Sequence, residues 1–172
     1  MHRLGGGSYG DVYMATMTEG EHKGTTIAVK VQHKKQKDAT KTTEQSRELT
    51  FLRNLKHPYV MKLLGWRETH FNLQLMMPYY EQDLHKYAKS GVEQKHAKVL
   101  AGCLADDLAY LHSQSIIHRD VKPGNLLVQR EPMAAILGDF GAARKLLPQV
   151  SEGSNEGLSV ECCTLWYAAP EV

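Results

Sequence analysis

The hydrophobic period of this chain changes at Pro78, and that change constrains the fold more than any other feature. Before it, residues 11–15 and 26–31 form short alternating runs that are in part β-branched or aromatic, 60–64 and 72–77 are two more strand-like runs, and each reads as a strand. One helical segment interrupts them at residues 43–55. It carries Leu49, Leu52 and Leu55 at three-residue spacing and is closed by Lys56-His57-Pro58. A polar turn with two glycines spans 18–25, and the lysine-rich stretch 33–41 reads as a loop. After Pro78 the pattern is helical, with a short piece over 83–89 and a longer one over 93–113. The stripe of the longer piece is Leu100, Leu104, Leu108 and Leu111. Strands first and helices later imply an α+β chain of two lobes, joined at 79–83. Residues 151–159, rich in Ser, Gly and Glu, read as a loop.

The 172 residues suffice for one domain with a real core. A net charge of +2 argues against nucleic acid or an anionic membrane as the main partner. Of the three cysteines, Cys162 and Cys163 are adjacent and Cys103 stands alone, with no C-x-x-C spacing. A disulfide framework or zinc site is not expected, and a reducing intracellular compartment fits best. The N-terminus lacks the apolar core of a signal peptide, and no run approaches the roughly 18 apolar residues of a spanning helix. No anchor or secretion route is expected.

Five strings carry chemistry. Gly5-Gly6-Gly7-Ser8-Tyr9-Gly10-Asp11-Val12 matches G-x-G-x-x-G-x-V, and glycines let backbone N–H groups approach phosphate oxygens. Taken alone, a flexible hairpin turn or a dinucleotide-binding turn would also fit. A dinucleotide fold wants a helix after the glycines, and the strand-like residues here favour a hairpin that covers a nucleotide. Lys30 lies inside the apolar run Ile27-Ala28-Val29-Lys30. Such a lysine is either a solvated edge residue or, paired with Glu48 of the next helix, a point charge for phosphates. His118-Arg119-Asp120-Val121-Lys122-Pro123-Gly124-Asn125 holds an acid able to accept a hydroxyl proton. It also holds a cation for a γ-phosphate and an amide able to ligate a metal. Asp139-Phe140-Gly141 follows a short apolar run and supplies an oxygen ligand of the kind magnesium takes. Thr164-Leu165-Trp166-Tyr167-Ala168-Ala169-Pro170-Glu171 closes the series.

In this order the strings resemble the signature set of the eukaryotic protein kinases, over essentially the whole chain. The resemblance implies a two-lobed kinase-like fold, with an antiparallel sheet and one main helix in residues 1–78, a hinge at 79–83 and a mostly helical lobe in 84–172. It implies an ATP- and Mg²⁺-dependent enzyme acting on a protein substrate, with Lys122 similar to the serine/threonine branch. The implied catalytic residues are Lys30, Glu48, Asp120, Lys122 and Thr164, and the implied metal ligands Asn125 and Asp139. The implied nucleotide-binding residues are Leu4, Gly5, Gly7, Gly10, Val12, Ala28, Lys30, Met77, Tyr80, Asp83 and Leu127. Leu52, Leu63, His118 and Phe140 correspond to an apolar spine.

Within that branch the glycine loop, Ser46-Arg47-Glu48-Leu49, the run 73–84 and Thr164-Leu165-Trp166-Tyr167 resemble the cyclin-dependent kinases and their group. This resemblance implies Ser8 and Tyr9 as inhibitory phosphorylation sites and an activating, cyclin-like partner at the Glu48 helix. It also implies an upstream kinase that phosphorylates Ser159, read by Arg47, Arg119 and Arg144, with Ser151 and Ser154 as rival sites. The compartment implied is cytoplasmic, nuclear or both. The hallmark Pro-Ser-Thr-Ala-Ile-Arg-Glu is not present, and Ala168 stands where the group carries arginine, so its preference for proline is not carried over. Family members continue well beyond the position of Val172 and carry more of a first strand before Leu4. The chain therefore reads as a kinase domain whose helical lobe is incomplete. A truncated nucleotide-binding or scaffolding protein without transferase activity is the alternative.

Overall fold

The computed structural model describes residues 2–7, 10–34, 39–146 and 164–167. By contact they fall into two compact units, Met1–Lys56 with Val60–Glu81, and His57–Tyr59 with Gln82–Val172.

The first unit is an antiparallel five-stranded sheet with one helix. Its strands are β1 (His2–Gly7), β2 (Gly10–Thr16), β3 (Thr26–His33), β4 (Gly65–Glu68) and β5 (Asn72–Pro78), in the order β1-β2-β3-β5-β4. Helix α1 spans Ala39–Asn54. Ile27, Val29, Leu73, Leu75 and Met77 from the sheet, Phe51 and Leu52 from α1 and Leu55 just past its end are buried. Glu48, Leu52 and Leu55 stand at i, i+4 and i+7, so a carboxylate occupies the helix's buried row.

Two expectations are corrected in this unit. Residues 60–64 are not a strand. Val60 and Met61 are buried, Val60 makes only an isolated bridge, and the ladder with β5 begins at Gly65, opposite Met76. Burial there mimicked the strand signal, whereas β4 lies at the sheet edge with Trp66, Arg67 and Glu68 exposed, so it has no apolar face to read. The 33–41 loop is shorter than expected, because β3 reaches His33 and α1 begins at Ala39. Strand β1 pairs with β2 from His2↔Met14 to Gly7↔Gly10, with an irregularity between Arg3 and Gly5.

The second unit holds α2 (Leu84–Lys89) and α3 (Gln94–Ser113). With them go β6 (Gln82–Asp83), β7 (Ile116–Ile117), β8 (Leu126–Arg130), β9 (Met133–Leu137) and β10 (Arg144–Lys145). Strands β6-β8-β9 form one sheet and β7-β10 another, and α3 packs on β9. The buried row of α3 is Leu100, Cys103, Asp107 and Leu111, while Leu104 and Leu108 are half-buried. The expected leucine stripe thus lies off the true face by part of a turn. No helix among the described residues is long and apolar enough to cross a membrane.

Asp107 in that row has no exposed surface. Its Oδ1 lies 2.9 Å from Nδ1 of His57, whose ring stacks on Tyr110 with centroids 4.8 Å apart. The Leu137 N–H donates to the Tyr59 carbonyl at 2.7 Å. These bonds attach His57–Tyr59 to the second unit. Burial pushes the Asp107 carboxyl up to about 6, against the opposing pull of the His57 hydrogen bond. A raised carboxyl contributes stability that is complete below its unfolded value near 3.8 and is lost as pH rises through about 6. Asp107→Asn removes this ionisation. The difference in melting temperature between Asp107→Asn and the parent should therefore move in favour of the variant from pH 4.5 to pH 7.5. An unchanged difference across that range in thermal melts would exclude a buried, raised Asp107.

Candidate active site

Register gathers many of the nominated residues of the first unit on one face of its sheet. Directly paired residues share a face, and alternate residues along a strand return to it. Gly5 pairs with Val12, Gly7 with Gly10, Val12 with Lys30, and Ala28 with Met77. Gly5, Gly7, Gly10, Val12, Ala28, Lys30 and Met77 thus stand on a common surface. Leu4, at the irregularity in β1, is 40% exposed. Gly10 adopts φ +128°, and a Cβ there would come within 2.2 Å of the Val31 carbonyl oxygen, so only glycine closes this hairpin. At Gly5 a Cβ would meet nothing within 4 Å, which leaves the backbone open to a close-approaching ligand.

Lys30 and Glu48 meet inside this unit. The Lys30 ammonium donates to both Glu48 carboxylate oxygens, at 2.8 and 2.9 Å. Lys30 is 7% and Glu48 1% exposed, which excludes the solvated-lysine alternative. Gln32, two residues along β3 on the same face, also donates its amide N–H to Glu48. Sequence reasoning missed Gln32. Its one signal was a polar residue at an inward position of a strand. Tyr80 is half-buried, and burial raises its hydroxyl above the ordinary tyrosine value.

The second unit holds the catalytic-loop string. Asp120 Oδ2 accepts from Lys122 Nζ at 2.8 Å and from Asn125 Nδ2 at 2.9 Å. Its Oδ1 accepts from the Thr164 hydroxyl at 2.8 Å and the Thr164 backbone N–H at 3.3 Å. Lys122 Nζ also donates to Thr164 Oγ1 at 2.7 Å, which closes a ring of acid, ammonium and hydroxyl. Burial alone would raise the Asp120 carboxyl. The hydrogen bonds from Lys122, Thr164 and Asn125 outweigh it and hold the group below the usual carboxylate range. Asp120 is therefore an ionised acceptor near neutral pH.

His118 joins this loop to the next string. Its Nδ1 accepts from the Asp120 N–H at 3.3 Å, so Nε2 carries the proton and donates to the Gly138 carbonyl at 2.9 Å. Burial lowers its pKa, against that bond, and keeps the ring neutral. The ring meets Phe140 edge-on at 5.0 Å. Of the expected spine, His118 and Phe140 touch within the second unit, while Leu52 and Leu63 belong to the first.

The Gly138 N–H donates to the Asn125 carbonyl at 2.9 Å, so Asn125 and the residue before Asp139 are tied together. Both side-chain donations of Asn125, to the Asp120 carbonyl and carboxylate, use its amide nitrogen. Its carbonyl oxygen is the atom left to meet a cation. Asp139 sits at φ 58°, a left-handed conformation that aspartate tolerates better than most residues. No cluster of three or more His, Cys, Asp or Glu side chains able to hold a metal exists among the described residues. An oxygen pair of one amide and one carboxylate suits magnesium, which takes one or two protein oxygens and completes its shell with waters and phosphate.

Asp83 caps α2, accepting from the Lys86 N–H at 2.8 Å, and Leu127 pairs with it across β6 and β8. Arg144 donates to the carbonyls of Ala142 and Ala143, at 3.2 and 2.9 Å. Arg119 has φ 71°, and Arg47 is half-buried on α1. Ser8, Tyr9, Ser151, Ser154, Ser159, Cys162, Cys163, Ala168 and Glu171 lie outside the described residues.

The family model for the protein kinase domain matches residues 1–172. Removing one partner of a buried ion pair leaves a charge out of water at a cost of about 3–5 kcal/mol. Glu48→Ala is expected to destabilise the protein on that scale, read from urea unfolding. A loss under about 1 kcal/mol, the range of exposed pairs, would show the pair to be solvated.

Proposed function

The chain belongs to the protein kinase family, and from that premise we propose that it transfers the γ-phosphoryl group of ATP to a serine or threonine hydroxyl of a protein substrate. The observation that carries this reading is the ring of Asp120, Lys122 and Thr164. There a threonine hydroxyl already donates to an ionised carboxylate while an ammonium stands against the same oxygen. An incoming aliphatic hydroxyl needs that arrangement, with an acceptor for its proton and a cation for the negative phosphoryl oxygens.

Roles follow from these contacts. Asp120 orients the attacking hydroxyl and accepts its proton as the new O–P bond forms and the bond from the γ-phosphorus to the β–γ bridging oxygen breaks, with ADP as the leaving group. Lys122 offsets charge on the transferring group. Asn125 and Asp139 would hold a magnesium ion, which would supply neutralisation of the phosphate charge. In the first unit, Gly5, Gly7 and Gly10 present backbone N–H groups to phosphate. Lys30, held by Glu48, faces the α- and β-phosphates, and Leu4, Val12, Ala28, Met77 and Tyr80 take the adenine. Asp83 and Leu127 are nucleotide contacts carried over by the resemblance alone.

Asp120→Asn is expected to lower kcat by about 10²–10⁴-fold, the usual contribution of a positioned base. The assay measures radiolabel transfer from ATP to a basic protein, followed by phosphoamino-acid analysis. Label on serine or threonine supports the proposal. Label only on tyrosine, or thermal stabilisation by ATP without transfer, overturns it.

The finer reading is a cyclin-dependent-kinase-like enzyme of the cytoplasm or nucleus, with an activating partner at α1 and an upstream kinase acting on Ser159. A phosphate there adds a charge near −2 that arginines can take up. Ser159→Ala should abolish the gain in activity on treatment with an activating kinase, and an unchanged gain would shift the assignment to Ser151 or Ser154.

A further inference from the structure

Gln32 is 2% exposed, and nothing about the packing of a sheet requires an amide at that position. Its Nε2 donates to Glu48, while its Oε1 is buried without a hydrogen-bond partner. An orphaned buried carbonyl is unfavourable, and an isosteric apolar side chain would carry no such penalty. The favourable half of the arrangement is the charge-assisted bond to the carboxylate, the stronger kind of hydrogen bond.

Lys30 meets the same carboxylate through both oxygens. On the proposed function, on which this inference rests, that ammonium has a second anion to serve. As it turns toward phosphate, Glu48 gives up part of its charge compensation while 1% exposed. A second donor that stays in place keeps the carboxylate satisfied. The geometry points to Gln32 as a positioning residue that holds Glu48, and with it α1, against β3 independently of Lys30. Lys30 is thereby free to be shared with the nucleotide, and α1 has an anchor within the chain itself.

The test uses Gln32→Met, which keeps length and removes the donor, beside Lys30→Met and the double variant. Backbone amide exchange of residues 47–52, measured without nucleotide, reads the hold on α1. Exchange is expected to quicken about tenfold in Gln32→Met with Lys30 still in place, to quicken further in Lys30→Met, where Glu48 loses its counter-charge, and to be fastest in the double variant. Affinity for a fluorescent ATP analogue should fall about tenfold in Gln32→Met, with the KM for the protein substrate unchanged.

A reciprocal exchange separates this role from simple packing. Gln32→Glu sets two carboxylates against each other and should lose protection. Gln32→Glu with Glu48→Gln restores one carboxylate and one amide beside Lys30, and should recover most of it. Parent-like exchange and affinity in Gln32→Met overturn the inference, as does a reciprocal variant no better protected than Gln32→Glu. A parent that binds no nucleotide defeats the proposed function, and the exchange measurements then decide the role of Gln32 by themselves.

Discussion

A carboxylate held out of water must be met by donors, because an uncompensated buried charge costs several kcal/mol. Three acids impose this on the chain. Glu48 draws β3 and α1 together through Lys30 and Gln32. Asp120 draws Thr164, more than forty positions further on, back to the catalytic loop. Asp107 takes His57 across fifty residues and secures the start of the β4 connection to α3. In each case the bond joins segments that local sequence preference would leave apart. Glu48 and Asp120 are met on both carboxylate oxygens, whereas Asp107 keeps one buried oxygen without a partner and is raised by burial instead.

The sheet and the helices were legible because burial on one side writes a period into the sequence. The catalytic strings were legible because their chemistry requires particular residue types in a particular order. What escaped had no such mark. β4 is an edge strand with exposed Trp66, Arg67 and Glu68, and the buried Val60 and Met61 copied a strand pattern without joining a ladder. Asp107 and Gln32 read as ordinary polar positions, since only the folded chain supplies His57 to one and Glu48 to the other. The face shared by Gly5, Val12, Ala28, Lys30 and Met77 was likewise hidden, because cross-strand register depends on pairing and not on any single segment.

Backbone in the left-handed region gathers around the same chemistry. Of the three non-glycine residues at positive φ among the described ones, Arg119 at 71° adjoins the acid and Asp139 at 58° is the metal-ligating carboxylate of the proposed mechanism, while Ser115 follows α3. Non-glycine residues enter this region at a cost of about 1–3 kcal/mol and persist only where the surroundings hold them. Here the holding contacts are the His118 bonds to Asp120 and Gly138, together with the ring packing on Phe140.

Both backbone groups of Gly138 are engaged, its N–H by the Asn125 carbonyl and its carbonyl by His118. The consequence is one of tolerance. Long loops accumulate positional error residue by residue, and a small hard cation accepts little of it, since its preferred oxygen distances lie near 2.0–2.1 Å. Between Asn125 and Asp139, however, the shortest route is a single hydrogen bond and a single peptide link. In the proposed mechanism that short route ties the backbones of the two ligand residues together more directly than the intervening strands β8 and β9 do.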